Sequence, residues 1–91
     1  MPAAARQSDM CTGHPGCKPR PALTGSPNVF INGRPAHRVG DAWAKHCGHG
    51  GVLATGSSSV FVNGLPLGRV GDAISCQSMV ATGSLNVFAG G

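Results

Sequence analysis

The residues of this 91-residue chain best suited to chemistry are its four histidines and four cysteines. They are not scattered. Cys11, His14 and Cys17 lie in "MCTGHPGCKPRPAL" (10–23), His46, Cys47 and His49 in "AWAKHCGHGGVLA" (42–54), and Cys76 in "AISCQSMVA" (73–81). Imidazole nitrogen and thiolate sulfur are the usual ligands of tetrahedral zinc, and a site closed by four protein ligands is structural. His46 and His49 are spaced so that one loop can clamp an ion with both rings, whereas the third segment offers only Cys76. A zinc site shared by all three segments therefore needs Cys76. Two quartets remain open: His14, His46, His49 and Cys76, or Cys11, Cys17, Cys47 and Cys76. His37 stands apart and is expected on a strand, facing solvent.

Catalysis finds little support. The chain has three carboxylate side chains, Asp9, Asp41 and Asp72, and no glutamate. Each follows an arginine by three positions (Arg6, Arg38, Arg69), so turn capping or local ion pairing accounts for all of them. No separate carboxylate is left to act as general acid or base. "GHGG" has neither the spacing nor the strand–helix setting of a dinucleotide-binding loop.

The elements that must position these residues are visible as a repeat. "TGSPNVFINGRPAHRVGD" (24–41) matches "TGSSSVFVNGLPLGRVGD" (55–72), and a third copy begins at "TGSLNVFAGG" (82–91). Its missing half lies at the other end of the chain, where "ARQSD" (5–9) aligns with "HRVGD" (37–41) and "GRVGD" (68–72). The two termini are thus expected to pair and complete the third unit. Each unit has hairpin chemistry. Val29–Ile31 and Val60–Val62 favour strand, and Asn32-Gly33 and Asn63-Gly64 favour a type I′ turn. Val29, Ile31, Val60, Val62 and Val87 should share one face, with Phe30, Phe61 and Phe88 on the other. The fold class is therefore all-β: one small domain, residues 1–91, of three pseudo-threefold-related hairpins. The three connecting segments leave it at one end.

Size and composition agree. A single domain this small has a thin core, and a metal or disulfide staple commonly supplements it. The formal charge of +4 is spread along the chain without interleaved aromatics, which argues against nucleic-acid binding. No apolar run spans a bilayer, and "MPAAARQSDM" lacks the apolar core of a signal peptide. Synthesis in the cytoplasm, with all four cysteines as reduced thiols, is the expectation. The competing reading is a small secreted binding domain stapled by disulfides.

"PAAAR" (2–6), "PAHR" (35–38) and "PLGR" (66–69), the latter two followed by "VGD", resemble the proline-alanine-alanine-arginine (PAAR) repeat proteins. "TGH" (12–14), "HCGHGG" (46–51) and "SCQ" (75–77) fall in the same order, and the resemblance covers essentially the whole chain. Leu67 and Gly68 depart from the alanines, and "PAAAR" is one residue longer than "PAHR". The resemblance implies a conical, non-enzymatic tip, one copy per spike, that caps the trimeric VgrG spike of a bacterial type VI secretion system. It implies one structural zinc near the apex, held by His14, His46, His49 and Cys76, with Cys47 left out. It also implies transient contact with a target membrane, delivery out of the cell with the spike, and effector proteins as further partners. No effector domain is expected within residues 1–91.

Overall fold

A computed structural model describes residues 1–13, 15–46 and 49–90, without the side chains of His46 and His49. Among the described residues there is no helix. The strands are β1 (Phe30–Ile31), β2 (Arg34–Pro35), β3 (Ala42–His46), β4 (His49–Val52), β5 (Phe61–Val62) and β6 (Leu65–Pro66), paired as three antiparallel hairpins, β1–β2, β3–β4 and β5–β6.

The Asn-Gly turns behave as their chemistry requires. Asn32 and Gly33 have φ of 54° and 77°, and Asn63 and Gly64 have 54° and 80°. Positive φ at both central residues is the type I′ condition that matches strand twist. Phe30 then faces Pro35, and Phe61 faces Pro66.

The chain ends close the third unit. Ala3 bridges Phe88 in antiparallel fashion, the Ala4 amide donates to the Val87 carbonyl at 2.9 Å, and the Ala89 amide to the Pro2 carbonyl at 3.0 Å. Ala3 therefore takes the place of Pro35 and Pro66, and Pro2, the extra residue of "PAAAR", stands where Arg34 and Leu65 do.

The three units meet in a closed backbone ring. His37 N–H donates to the Ala5 carbonyl at 3.1 Å, Ala5 N–H to Gly68 at 2.9 Å, and Gly68 N–H to His37 at 2.9 Å. Apolar side chains gather in two clusters around it. One, drawn from the hairpin units, is Ala4, Ile31, Ala36, Val62, Leu67 and Ala89. The other holds Ala5, Cys11, Ala22, Trp43, Leu53, Ile74 and Val80, most of them from the connecting segments. Ile31 and Val62 face inward, and all three phenylalanines face out, from 48% to 56% exposed. Val29, Val60 and Val87 are also more than a third exposed, because they precede the short paired strands and have less cover.

Two expectations are corrected. Residues 42–54 are not merely a connection: β3–β4 is the longest hairpin described, bulged between Trp43 and His46. His37 is fully buried rather than solvent-facing. Its repeat equivalents, Ala5 and Gly68, are small because the site is crowded: a Cβ on Gly68 would lie 2.5 Å from Leu53 Cδ2. Small residues in two copies marked an axial position, where the third copy fits its one large side chain.

Candidate functional site

The polar framework that holds the site is the same structure built three times. Arg6, Arg38 and Arg69 each grip the aspartate three residues on: Nε to Oδ2 at 3.0, 2.9 and 3.0 Å, and Nη2 to Oδ1 at 3.1, 3.0 and 3.0 Å. The arginine amide also donates to the same carboxylate at 2.8 Å in every copy. Thr82, Thr24 and Thr55 complete Asp9, Asp41 and Asp72 through hydroxyl donors at 2.9, 3.0 and 3.0 Å. These threonines accept the Met10, Ala42 and Ala73 amides in turn, which sets the exit direction of every connecting segment. The aspartates are thus turn and ion-pair elements, as their spacing predicts. Burial pushes the Asp41 carboxyl up, but hydrogen bonds from Arg38 and Thr24 outweigh it and hold the group below the usual carboxylate range.

A second motif links each unit to the next. Buried Ser26 accepts the Val29 amide and donates to Asn63 Oδ1, which also accepts Arg38 Nη1 at 3.0 Å. Ser84, Asn32 and Arg6 repeat this arrangement. In the last link Gly90 stands at the asparagine position, and its backbone carbonyl replaces the asparagine oxygen, accepting from Ser57 and from Arg69 at 3.2 Å. A main-chain oxygen supplies what glycine lacks in side chain.

The connecting segments are laced together above this frame. Thr12 N–H donates to the Met79 carbonyl at 2.7 Å, Ser75 N–H to Val52 at 2.9 Å, and Ala44 N–H to Pro21 at 3.0 Å. Cys11 bridges Val80, Ala22 bridges Trp43, and Leu53 bridges Ile74. The backbones carrying the sequence-derived ligand candidates are thereby tied into one group, and His46 pairs with His49 across β3–β4.

Of the first quartet, only Cys76 has a described side chain. It is a half-buried free thiol with Sγ 3.4 Å from Ser78 Oγ. His14 and the His46 and His49 side chains lie outside the described residues, as does Cys47. Among the described residues no cluster of three or more His, Cys, Asp or Glu gathers as a metal site.

The remaining cysteines correct the expectation of four reduced thiols. Cys17 is disulfide-bonded, whereas Cys11 and Cys76 are free. Spacing and compartment cannot report this, because a disulfide depends on which thiols the fold brings together. A disulfide sulfur is no thiolate ligand, so the quartet of Cys11, Cys17, Cys47 and Cys76 does not fit this structure. Cys11 is buried and accepts the Arg20 amide at 3.2 Å. The two free thiols also disagree with a domain stapled by two disulfides.

No convergent acid–base pair emerges among the described residues. A surface depression of about 310 Å³ is lined by Arg6, Asn32, Leu85 and Asn86, but its polar groups already bond to Asp9, Ser84 and one another. No described helix is long and apolar enough to cross a membrane. The missed contributors to the architecture are Thr24, Thr55 and Thr82, the side-chain links that Asn32 and Asn63 make beyond their turns, and Trp43. The first two sets were signalled by recurring in the repeat; Trp43 had no such signal.

Comparison with known proteins places this framework. A family model described as the PAAR motif matches residues 2–48 and 44–91, two overlapping stretches that span the chain. No curated protein matches it.

Proposed function

The chain belongs to the PAAR-motif family, whose members are tip components of type VI secretion spikes, and on that premise we propose that it caps a trimeric VgrG spike and sharpens it for membrane puncture. Members are structural spike parts rather than enzymes, in keeping with aspartates fully engaged by arginine. The observation that carries the reading is the Ala3–Phe88 closure. It makes one chain three-sided, so a single copy can present equivalent edges to three spike subunits. The exposed Phe30, Phe61 and Phe88 supply apolar area on those sides.

We further propose that His14, His46, His49 and Cys76 hold one zinc ion. The donor set suits tetrahedral zinc, Cys76 is free to ligate, and the bonds from Thr12 to Met79 and from Ser75 to Val52 bring together the three segments that carry these residues. Bound zinc would act as a cross-link, with structural sites contributing on the order of 10 kcal/mol of folding free energy. It would tie short glycine-rich segments into an apex able to bear load. Delivery out of the cell with the spike follows from the same role.

Elemental analysis of the natively purified protein, together with capture by a VgrG trimer, tests both parts. One zinc per chain and one chain per trimer are expected. Cys76→Ser should lose most of the zinc and melt far below Cys11→Ser. Absence of metal, or equal loss in the two variants, would remove the zinc assignment. Failure to bind any cognate trimer would remove the capping role.

A further inference from the structure

The distribution of charge over the fold is uneven. All three carboxylate side chains are buried in bonds to Arg6, Arg38 and Arg69, and Arg34 shares Asp9 at 3.2 Å. Arg20 and Lys45 are exposed and lie in the first two connecting segments. None of the three connecting segments contains a carboxylate side chain. Ala22 bridges Trp43, and Ala44 N–H donates to the Pro21 carbonyl. That pairing lays the segment carrying Arg20 alongside the strand that carries Lys45.

Apolar side chains accompany the cations. Val52 and Met79, 41% and 49% exposed, occupy equivalent positions in the second and third segments, and the corresponding residue of the first is half-buried Pro21.

We infer that this end of the molecule is a docking surface for anionic lipid headgroups, with Arg20 and Lys45 meeting phosphate oxygens and Val52 and Met79 entering the interfacial layer. Basic residues beside exposed apolar ones are the composition that binds acidic membrane surfaces. A free phosphate would have no use for the apolar residues. Nucleic acid would want a stacking aromatic, yet Trp43 is buried and the phenylalanines belong to the hairpin units. The inference rests on the puncture reading only for the claim that this end meets the target membrane first.

Flotation of the full-length protein with vesicles tests it. Binding is expected to vesicles of equal parts phosphatidylcholine and phosphatidylglycerol, not to phosphatidylcholine alone, and should weaken with salt. Each basic residue near an acidic membrane contributes about fivefold in partitioning, so Arg20→Gln with Lys45→Gln should lower binding on the order of twentyfold. Arg34→Gln, a cation in a hairpin unit, should change it less than about twofold on the same scale. Val52→Ser with Met79→Ser should weaken the binding that persists at high salt. Thermal melts of each variant separate lost binding from lost fold. No binding to acidic vesicles overturns the inference. So does an equal loss in the Arg34 variant, which would report net charge alone. Displacement by millimolar inorganic phosphate would assign a free-anion site instead, and preference for DNA over vesicles would assign nucleic acid. VgrG capture of the double cation variant should be unimpaired. If the wild type fails that capture yet binds vesicles, the spike reading falls and the lipid surface stands.

Discussion

His37 stands edge-on to Trp43, with ring centroids 5.0 Å apart and planes at 78°. Its Nδ1 lies 2.7 Å from the Thr24 carbonyl, so that nitrogen carries the proton and donates. His37 Nε2 and Trp43 Nε1 are both buried without a hydrogen-bond partner among the described residues. The pair joins the axial ring to the cluster beneath the connecting segments.

This burial makes stability depend on pH. Desolvation pushes the His37 imidazole below its ordinary range, against the Thr24 bond and the pull of Asp41. The folded protein then keeps the ring neutral where the unfolded chain protonates it. Below about pH 6.5 the unfolded state binds the additional proton, so stability falls as pH falls. Above that pH both states are neutral and the contribution is complete. His37→Ala should cost about 2 kcal/mol at neutral pH, from lost packing and a lost hydrogen bond. It should also flatten the dependence between pH 6.5 and 5. Urea midpoints of the two proteins across this range are the measurement, and parallel curves would clear His37 of the effect.

Asp41 governs a more acidic window. Its folded carboxyl titrates below its unfolded value. The stabilisation is therefore present above about pH 4 and is lost as pH falls through the folded value. Asp41→Asn leaves Arg38 facing a neutral amide and should cost about 3 kcal/mol, the scale for breaking a buried pair. It should also remove part of the acid transition below pH 4. An acid melt of the variant that overlays the wild type after correction for its lower baseline would contradict this.

Thiol labelling separates the cysteines. In denaturant with chelator and no reductant, alkylation should reach Cys11 and Cys76 and spare Cys17. After reduction Cys17 should react as well. In the native protein Cys11, which is buried, should label slowest of the free thiols. Peptide mapping reads all three, and modification of Cys17 before reduction would show that its disulfide does not form.

Ser8 offers a gain of stability. It has φ of 76°, where the equivalent Gly40 and Gly71 have 94°. A left-handed residue with a Cβ costs about 1–2 kcal/mol, partly offset by the greater entropy of glycine in the unfolded chain. Ser8→Gly should raise stability by about 0.5–1 kcal/mol on that balance. Denaturant midpoints would show it, and a fall in midpoint would mean that the serine side chain contributes more than its strain costs.

Much of the architecture could be read from the residues. The turn at Asn32-Gly33 and the grip of Arg38 on Asp41 are local chemistry, complete within a few positions. Repetition made them more legible, since a feature used three times has one explanation. Even the closure of the termini followed, because a truncated copy at one end and its missing half at the other leave unpaired strands that need each other. The proposed zinc quartet is a different matter: the spacing of His46 and His49 fits a clamp, while the disulfide state of Cys17, which speaks against the all-cysteine rival, is set by the fold.

What the residues could not convey is anything that depends on position relative to the axis. His37 and Gly68 occupy the same repeat site, yet one imidazole fills a space that a methyl on the other would overfill, since Leu53 lies against Gly68 and Trp43 against His37. Burial there is set by neighbours distant in the chain. The outward turn of Phe30, Phe61 and Phe88 is of the same kind: alternation separates two faces, and packing chooses which is covered. Local chemistry wrote the hairpins, the turns and the ion pairs into the sequence. The fold alone settled which side chains meet at the centre, because contact across three units is a property of their assembly.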